Sequence, residues 1–514
     1  MYLTQGLHRA LQRDPESALT ICGDRTRTVR EVADRVAALA GALRALGVGD
    51  GDRVAMLSQN SDYYSEYLLA VPWANAVLNP VNVRWSAAEI AYSLADSETA
   101  LLIVDEAFAP LLPDLLAAYS GLKAVLHCGT STPAGALSYE QVIAEAVPIP
   151  DARRGGDALA GLFYTGGTTG FPKGVMLSHA NLISSALGAA ASGYVFKPGG
   201  TYLHAAPMFH LADLAGWTAQ MMLGGTHVMV PGFAPVPVME AIQAHGVTDA
   251  ILVPAMIQML VDHPDVAKYD LSSLERILFG ASPITEAVLQ RAMSTLPKVE
   301  FAQAFGMTEL SPIATLLGPE EHRAGNRLRS AGRAAPHTEV QIVDGDGNEV
   351  PRGSVGEIAV RGGNVMQGYW QKPEATAEAL RDGWMHTGDG AFMDDDGYVF
   401  IVDRLKDMIV SGGENVYSYE VENAIAGHPC VAASAVIGVP DEEWGERVHA
   451  VIVLQPGHSL TLDELRAHTK TRIAGYKAPR SVEFVDALPV SGAGKILKRE
   501  LRAKYWTDSD RAVN

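Results

Sequence analysis

The densest concentration of ligand-binding chemistry in this chain is the run Tyr164-Thr165-Gly166-Gly167-Thr168-Thr169-Gly170-Phe171-Pro172-Lys173-Gly174. It places four glycines, three threonines and one lysine in eleven residues. Glycines let a backbone approach a ligand and turn several N–H groups toward one point. Threonine hydroxyls add donors and the lysine adds positive charge, a set that suits a polyphosphate. The apolar run 159–163 before it, and the helix-like stretch from near Ser178 after it, make it a strand feeding a glycine-rich loop. It is not a Walker A loop, because Lys173 lacks a preceding Gly and a following Ser or Thr. Taken alone, such a cluster reads equally well as a flexible surface loop.

Five further constellations carry chemistry, each with a bland counterpart. Phe305-Gly306-Met307-Thr308-Glu309 puts a carboxylate one residue after a hydroxyl, which can hold magnesium beside a phosphate. His386-Thr387-Gly388-Asp389 reads by itself as a β-turn. The charged run Asp403-Arg404-Leu405-Lys406-Asp407 adjoins Ser411-Gly412-Gly413-Glu414, and charge runs are usually solvated faces. Lys495 sits on the glycine-rich stretch 489–497, where a lysine can present a point charge or simply lie exposed. Ala206-Pro207-Met208-Phe209-His210 leads into the apolar positions Leu211, Leu214, Trp217, Met221 and Met222. Asp213 interrupts them. A carboxylate there is unfavourable beside an acid substrate unless it is turned away or caps a helix, and the cap is the favoured reading.

Together these motifs resemble the adenylate-forming superfamily of acyl-CoA synthetases, carrier-protein adenylation domains and firefly-type luciferases, over residues 28–502. The resemblance implies that Thr165, Gly166, Gly167, Thr168, Thr169, Gly170 and Lys173 hold the ATP phosphates. It implies that Gly280 and Ala281 flank the adenine and that Phe305 stacks on it, where the family more often carries Tyr. Thr308 would meet the α-phosphate, and Glu309, helped by Thr165, would bind Mg2+. Asp389 and Arg404 would hold the ribose, and Lys406 would be the hinge. Gly412 and Gly413 would line the pantetheine tunnel. Lys495 would bridge the substrate carboxylate and the α-phosphate. His210 belongs to a segment that gates the acyl site. Trp444 resembles a position that stacks on the CoA adenine. Tyr476, Lys477 and Arg480 lie where some aryl-CoA ligases meet the CoA nucleotide, although Ala478 is small where such ligases can carry a base. The implied activity is that of an AMP-forming acid–CoA ligase using ATP, Mg2+ and CoA, with a medium- or long-chain fatty acid as the expected substrate. Aryl acids, and the loading of an acyl carrier protein, are the alternatives. The Ser-Gly-Gly-Glu-Asn loop and Trp444 look more like the CoA group, and no fused carrier domain is expected. A homodimer is a family-level expectation.

These residues need elements to position them. At 514 residues the chain exceeds one ordinary core, so at least two domains are expected. Hydrophobic residues make up 48% and charged residues 19%, the balance of a globular protein. No apolar run reaches membrane-spanning length, and the first residues do not read as a signal peptide. Cys22, Cys128 and Cys430 are too scattered for a disulfide framework or a metal cluster, which suggests a cytoplasmic setting. A net charge of −19 argues against general nucleic-acid binding.

Val32, Val36, Leu39, Leu43 and Leu46 recur at helical spacing, and a strand is expected at 52–58. A helix at 61–71 and a strand at 100–104 continue a βα rhythm. It resumes with a helix at 238–245 and strands at 250–254 and 276–280. Val340, Ile342, Ile358 and Val360 alternate around the turn Asp344-Gly345-Asp346-Gly347, as in an antiparallel hairpin. Strands at 435–439, 448–454 and 482–485 and a helix at 462–473 follow. The expected fold is α/β: a large N-terminal domain (1–403) with parallel sheets and a β-rich subdomain, a hinge (404–406), and a small mobile α+β domain (407–514).

Overall fold

The computed structural model describes residues 1–165, 172–282, 284–404, 407–412, 414–490 and 496–506, without the side chains of Arg404 and Asn415. Local sequence chemistry accounts for the first elements. The spacing of Val32, Val36, Leu39 and Leu43 forms helix Val29–Ala45, and these residues are buried. A capping box opens it: Glu31 N–H donates to Thr28 Oγ1, and Thr28 N–H donates to the Glu31 carboxylate. Strand Arg53–Leu57 follows, then helix Asp62–Trp73 capped by Ser61, then strand Thr99–Asp105. The expected helix at 238–245 is Pro235–His245, and the strands at 250–254 and 276–280 are Asp249–Leu252 and Arg276–Gly280.

Two large sheets organise the first compact unit, Met1–Val340 with Val360–Met385. One has nine strands in the order Arg333–Ala334, Thr315–Leu317, Glu300–Phe305, Arg276–Gly280, Asp249–Leu252, Thr201–His204, Thr226–Met229, Ala18–Cys22, Arg25–Thr28. Its interior pairs, from Glu300–Phe305 through to Ala18–Cys22, are parallel. The other has eight strands in the order Gly368–Tyr369, Lys173–Ser178, Leu159–Thr165, Val77–Pro80, Arg53–Leu57, Thr99–Asp105, Ala124–Cys128, Leu137–Ser138. Buried apolar residues such as Leu252, Ile257, Ile277, Phe279 and Phe301 fill one core of this unit.

The second unit comprises Gln341–Ala359 and His386–Asn514. Strands Thr338–Val343, Gly356–Gly362 and Trp384–Met393 each carry the chain from one unit into the other. The first two form the expected hairpin. Strand Val399–Arg404 pairs with Trp384–Met393, and Asp403 accepts from Ser418 N–H at 2.5 Å. These contacts draw 386–404 into the second unit, so the boundary expected at 404–406 falls inside it. Leu405 and Lys406 lie outside the described residues, and the hinge stays a proposal. The expected C-terminal strands are Val431–Asp441, Gly445–Leu454 and Ser481–Phe484, with helix Leu462–Lys470.

One segment of the first unit, residues 363–370, was not singled out by sequence reasoning. Asn364 is fully buried and donates to Leu310 O at 2.8 Å and Ile313 O at 2.9 Å, while Ser311 Oγ donates to Asn364 O at 2.7 Å. Asn181 holds the same segment by donating to Gly363 O and Val365 O at 2.9 and 2.8 Å. Replacing Asn364 with Ala leaves two buried carbonyls without their donor, at about 1–3 kcal/mol each. The expected outcome in a thermal scan is a midpoint several degrees below wild type. A midpoint within one degree of wild type would show that this segment is not held by Asn364.

Candidate active site

In the first unit the residues expected to meet phosphate, metal and adenine stand at or just beyond strand ends, the phosphate set in the eight-stranded sheet and the others in the nine-stranded one. Leu159–Thr165 ends on half-buried Thr165, whose antiparallel partner is Lys173 at the start of Lys173–Ser178. The glycine-rich loop therefore joins two strands of one hairpin, and the helix comes only after the second strand. Gly166, Gly167, Thr168, Thr169 and Gly170 lie outside the described residues. Glu300–Phe305 ends on Phe305 and leads into the single turn Thr308–Leu310. Gly280 pairs with Ala304. A Cβ on it would sit 2.2 Å from Ala304 O, so only glycine lets these strands close. Ala281 follows at φ +66°, a left-handed conformation uncommon for a residue with a side chain and often found where a turn serves a ligand.

Glu309 is 6% exposed. Its Oε1 accepts from the Tyr369 hydroxyl at 2.8 Å, and its backbone carbonyl accepts from Met366 N–H at 2.9 Å. Burial, and then the charge of Glu309, push the Tyr369 phenol well above its usual range, so it remains a donor. Lys173 Nζ lies 4.9 Å from the centre of the Tyr369 ring. Among the described residues no group of three or more His, Cys, Asp or Glu forms a metal cage. A single buried carboxylate near Lys173, at the end of the loop expected to meet phosphates, fits Mg2+ held largely by substrate oxygens.

The acyl segment follows strand Thr201–His204. Asn60 fastens it by donating to Ala206 O at 2.8 Å and accepting from Met208 N–H at 2.8 Å. His210 is the N-cap of helix Leu211–Leu223, its Nδ1 accepting from Ala212 N–H at 3.2 Å, which places a neutral ring's proton on Nε2. The cap expected at Asp213 is corrected accordingly. Asp213 points into the core, where its carboxylate meets His204 Nδ1 at 2.6 Å and Tyr202 Oη at 3.3 Å. His204 Nε2 meets His227 Nδ1 at 3.0 Å. All of these side chains are fully buried. Leu211, Leu214, Trp217, Met221 and Met222 are buried too, and the Trp217 indole donates to Ser65 Oγ at 3.1 Å.

In the second unit Asp389 is 6% exposed and lies within strand Trp384–Met393, paired in register with Arg404, rather than in the turn its sequence suggests. The residue before it leaves the usual extended backbone conformation within the strand. Gly388 has φ +72°, and its N–H donates to Glu357 Oε1 at 2.9 Å. Gly412 also has positive φ, +63°. A Cβ there would lie 2.6 Å from Trp444 Cε3, so the glycine allows the tryptophan to pack on the backbone. The Arg480 guanidinium lies 3.9 Å from the centre of the Trp444 ring, and Lys477 is paired with Glu420 at 2.7 Å. The face of Trp444 that a base would stack on is thus taken by Arg480 on one side. Gly413, Lys406 and Lys495 lie outside the described residues. Just beyond Lys495, Lys498 pairs with Glu422 at 2.8 Å and with Ser418 Oγ. Burial opposes its charge, but Glu422 and Asp403 outweigh burial and keep the ammonium above its ordinary value.

A family model described as AMP-binding enzyme matches residues 7–370, and one described as AMP-binding enzyme C-terminal domain matches residues 420–495. The chain belongs to the AMP-binding enzyme family. This AMP-binding enzyme, a member of the adenylate-forming acyl-CoA synthetase superfamily, is similar to a fatty acid–[acyl-carrier-protein] ligase of Streptomyces coeruleorubidus. The two are 39% identical over 507 residues, covering 98% of this chain and 96% of the relative. It is 42% identical over 498 residues to a feruloyl-CoA synthase of Amycolatopsis sp, covering 97% and 98%. Among solved structures it resembles the o-succinylbenzoate CoA synthetase of Bacillus subtilis in complex with its acyl-adenylate intermediate, with TM-score 0.86 and 30% identity, covering 96% and 97% of the two chains. In this AMP-binding enzyme, sequence reasoning missed Tyr369, Asn364, Asn60 and Lys498. Their partners are far away in the chain, and no local spacing marks them.

The closeness of Gly280 to Ala304 is testable. Gly280→Ala overpacks the strand end next to Phe305, a class of change that costs about 1–3 kcal/mol. Calorimetry is expected to show ATP bound about tenfold more weakly, with a lowered thermal midpoint. Wild-type ATP affinity would remove this turn from the nucleotide site.

Proposed function

We propose that this enzyme activates a carboxylic acid with ATP and passes the acyl group to the thiol of CoA. The observation that carries the reading is Glu309: a buried carboxylate held by Tyr369, which also carries the lysine at the exit of the glycine-rich loop. In the first step a carboxylate oxygen of the acid attacks the α-phosphorus of ATP, and the bond to pyrophosphate breaks. In the second, the thiol sulfur attacks the acyl carbonyl, AMP leaves, and the thiol proton passes to solvent or base.

The loop from Thr165 to Lys173 is assigned to the phosphates, Phe305 with Gly280 and Ala281 to the adenine, and Thr308 to the α-phosphate. Mg2+ would be held by Glu309 with help from Thr165, and it supplies charge neutralisation on the phosphates. Asp389 and Arg404 are assigned to the ribose diol, and Lys495 to the charge that develops between the two reacting groups. His210 is assigned to the acyl gate. Lys406 is assigned to the pivot that lets Lys495 give way to the Gly412-Gly413 segment between steps, which makes the domain beyond it the moving part.

A medium- or long-chain fatty acid is the proposed substrate, supported by the apolar helix Leu211–Leu223 and by the fatty-acid relative. The feruloyl relative supports an aryl acid as the alternative. Loading of an acyl carrier protein is favoured by a specific observation: Arg480 covers one face of Trp444, the side chain assigned to the CoA adenine. A cytoplasmic setting is proposed from three cysteines that are all free thiols, and the homodimer of the family is proposed for a light-scattering measurement. The deciding experiment follows AMP release and thioester formation over a panel of fatty and aryl acids. Each acid is offered free CoA or a phosphopantetheinylated carrier protein. Thioester on CoA with fatty acids supports the reading, and thioester only on the carrier overturns its second half.

The assignment of Lys495 gives a sharper outcome. Lys495→Ala is expected to lower acyl-adenylate formation by orders of magnitude, while thioester formation from supplied acyl-adenylate and CoA stays near wild type. Equal loss in both half-reactions contradicts a role confined to the first.

A further inference from the structure

Tyr369 lies outside every motif that the sequence offers, yet two of them meet through its side chain. It is 8% exposed. Its hydroxyl donates to Glu309 Oε1 at 2.8 Å, and its ring carries Lys173 Nζ at 4.9 Å from the centroid. The backbone that aims it is fixed twice. Gly368–Tyr369 pairs antiparallel with Met176 and Val175, and Tyr369 N–H donates to Thr376 Oγ1 at 2.9 Å. The next residue continues the attachment, with Trp370 N–H donating to Gly174 O at 2.8 Å and its indole to Asp96 O at 3.0 Å. Asp96 Oδ2 accepts from Tyr164 Oη at 2.7 Å. The two strand ends on either side of the glycine-rich loop are therefore fastened to one short segment, and that segment also grips Glu309.

Glu309 and Lys173 carry opposite charges and serve one substrate. A direct pair between them would engage the carboxylate that the metal needs and the ammonium that the phosphates need. Tyr369 offers each a separate partner, a hydroxyl for the carboxylate and a ring face for the ammonium. Mg2+ demands near-octahedral geometry and takes few protein ligands, so the orientation of a lone carboxylate matters. We propose that Tyr369 is a positioning residue for metal–nucleotide binding: it fixes Glu309 through Oε1, assigns ligation to the other oxygen, and holds Lys173 beside the loop without letting the two charges quench each other. The proposal rests on the reading of Glu309 as the ligand of an adenylating site.

Tyr369→Phe keeps the ring and removes the hydroxyl, so it separates the two contacts. ATP binding is measured by calorimetry in EDTA and across a Mg2+ series, and Mn2+ bound with ATP is followed by electron paramagnetic resonance. Loss of a side chain that orients a metal ligand typically lowers metal affinity by about 10- to 100-fold. Tyr369→Phe is expected to raise the half-saturating Mg2+ by that factor and to weaken Mn2+ retention. ATP affinity in EDTA is expected to match wild type, while the thermal midpoint falls by a few degrees because Glu309 loses its donor. Tyr369→Leu is expected to weaken ATP binding in EDTA as well, because Lys173 loses its ring. Wild-type Mg2+ dependence in Tyr369→Phe overturns the proposal. A Glu309→Gln arm distinguishes the two ways of failing. If Glu309→Gln raises the Mg2+ requirement and Tyr369→Phe does not, the role of Tyr369 fails alone. If neither moves it, the reading of Glu309 fails and the proposal falls with it.

Discussion

A buried carboxylate has to be met by a donor, and in this chain Glu309 is met by the Tyr369 hydroxyl. A hydrogen bond to a charged group contributes about 1.5–3 kcal/mol, and leaving such a group unmet costs more. The geometry of the first unit follows from keeping that contact. Residues 363–370 run past the turn Thr308–Leu310, and Asn364, Met366 and Tyr369 each bond to it or to the residues just after it. The same segment then becomes the edge strand beside Lys173–Ser178. Glu309 and Lys173, more than a hundred residues apart in sequence, are brought to one place by a third piece of chain.

The second unit has its own fastening. Lys498, Glu422, Ser418 and Asp403 form a largely buried polar set that ties the short helix Lys498–Arg502 to helix Ser418–Ala426 and to the end of strand Val399–Arg404. Arg502 adds a pair with Asp407 at 2.5 Å. Buried pairs of this kind add little net stability, but removing one partner is costly, so they fix geometry. Here the fixed geometry is that of the chain on both sides of the residues assigned to the hinge, and of the chain immediately after Lys495. Asp403 precedes the residues assigned to the hinge and Ser418 follows them, so a pivot at Lys406 would have to break the hydrogen bond between the two.

Much of the fold was legible because periodicity is local. The helix at 29–45, the strands at 53–57 and 99–105 and the hairpin around 344–347 all follow from spacing, caps and turn residues. The motifs around Glu309, Asp389 and the glycine-rich loop stand out in the sequence because each is contiguous, and their roles are proposals. What was not legible depends on tertiary partners. Asp213 has a spacing that suits a helix cap, but His210 is better placed for that and Asp213 instead meets His204 and Tyr202 across the core. Gly-Asp at 388–389 looks like a turn, and strand Val399–Arg404 makes it part of a sheet. Trp444 looks like an open stacking surface, and Arg480, distant in sequence, lies on it. Tyr369 has no signature at all until Glu309 and Lys173 are seen beside it.

The central claim is that carboxylic acid and ATP react on this protein before any thiol takes part. Acid-dependent exchange of labelled pyrophosphate into ATP, measured with Mg2+ present and thiol absent, tests it most directly. The account predicts rapid exchange that requires a carboxylic acid and disappears without Mg2+. Exchange that ignores the acid, or cleavage of ATP to ADP and phosphate with no exchange for any acid, would contradict it.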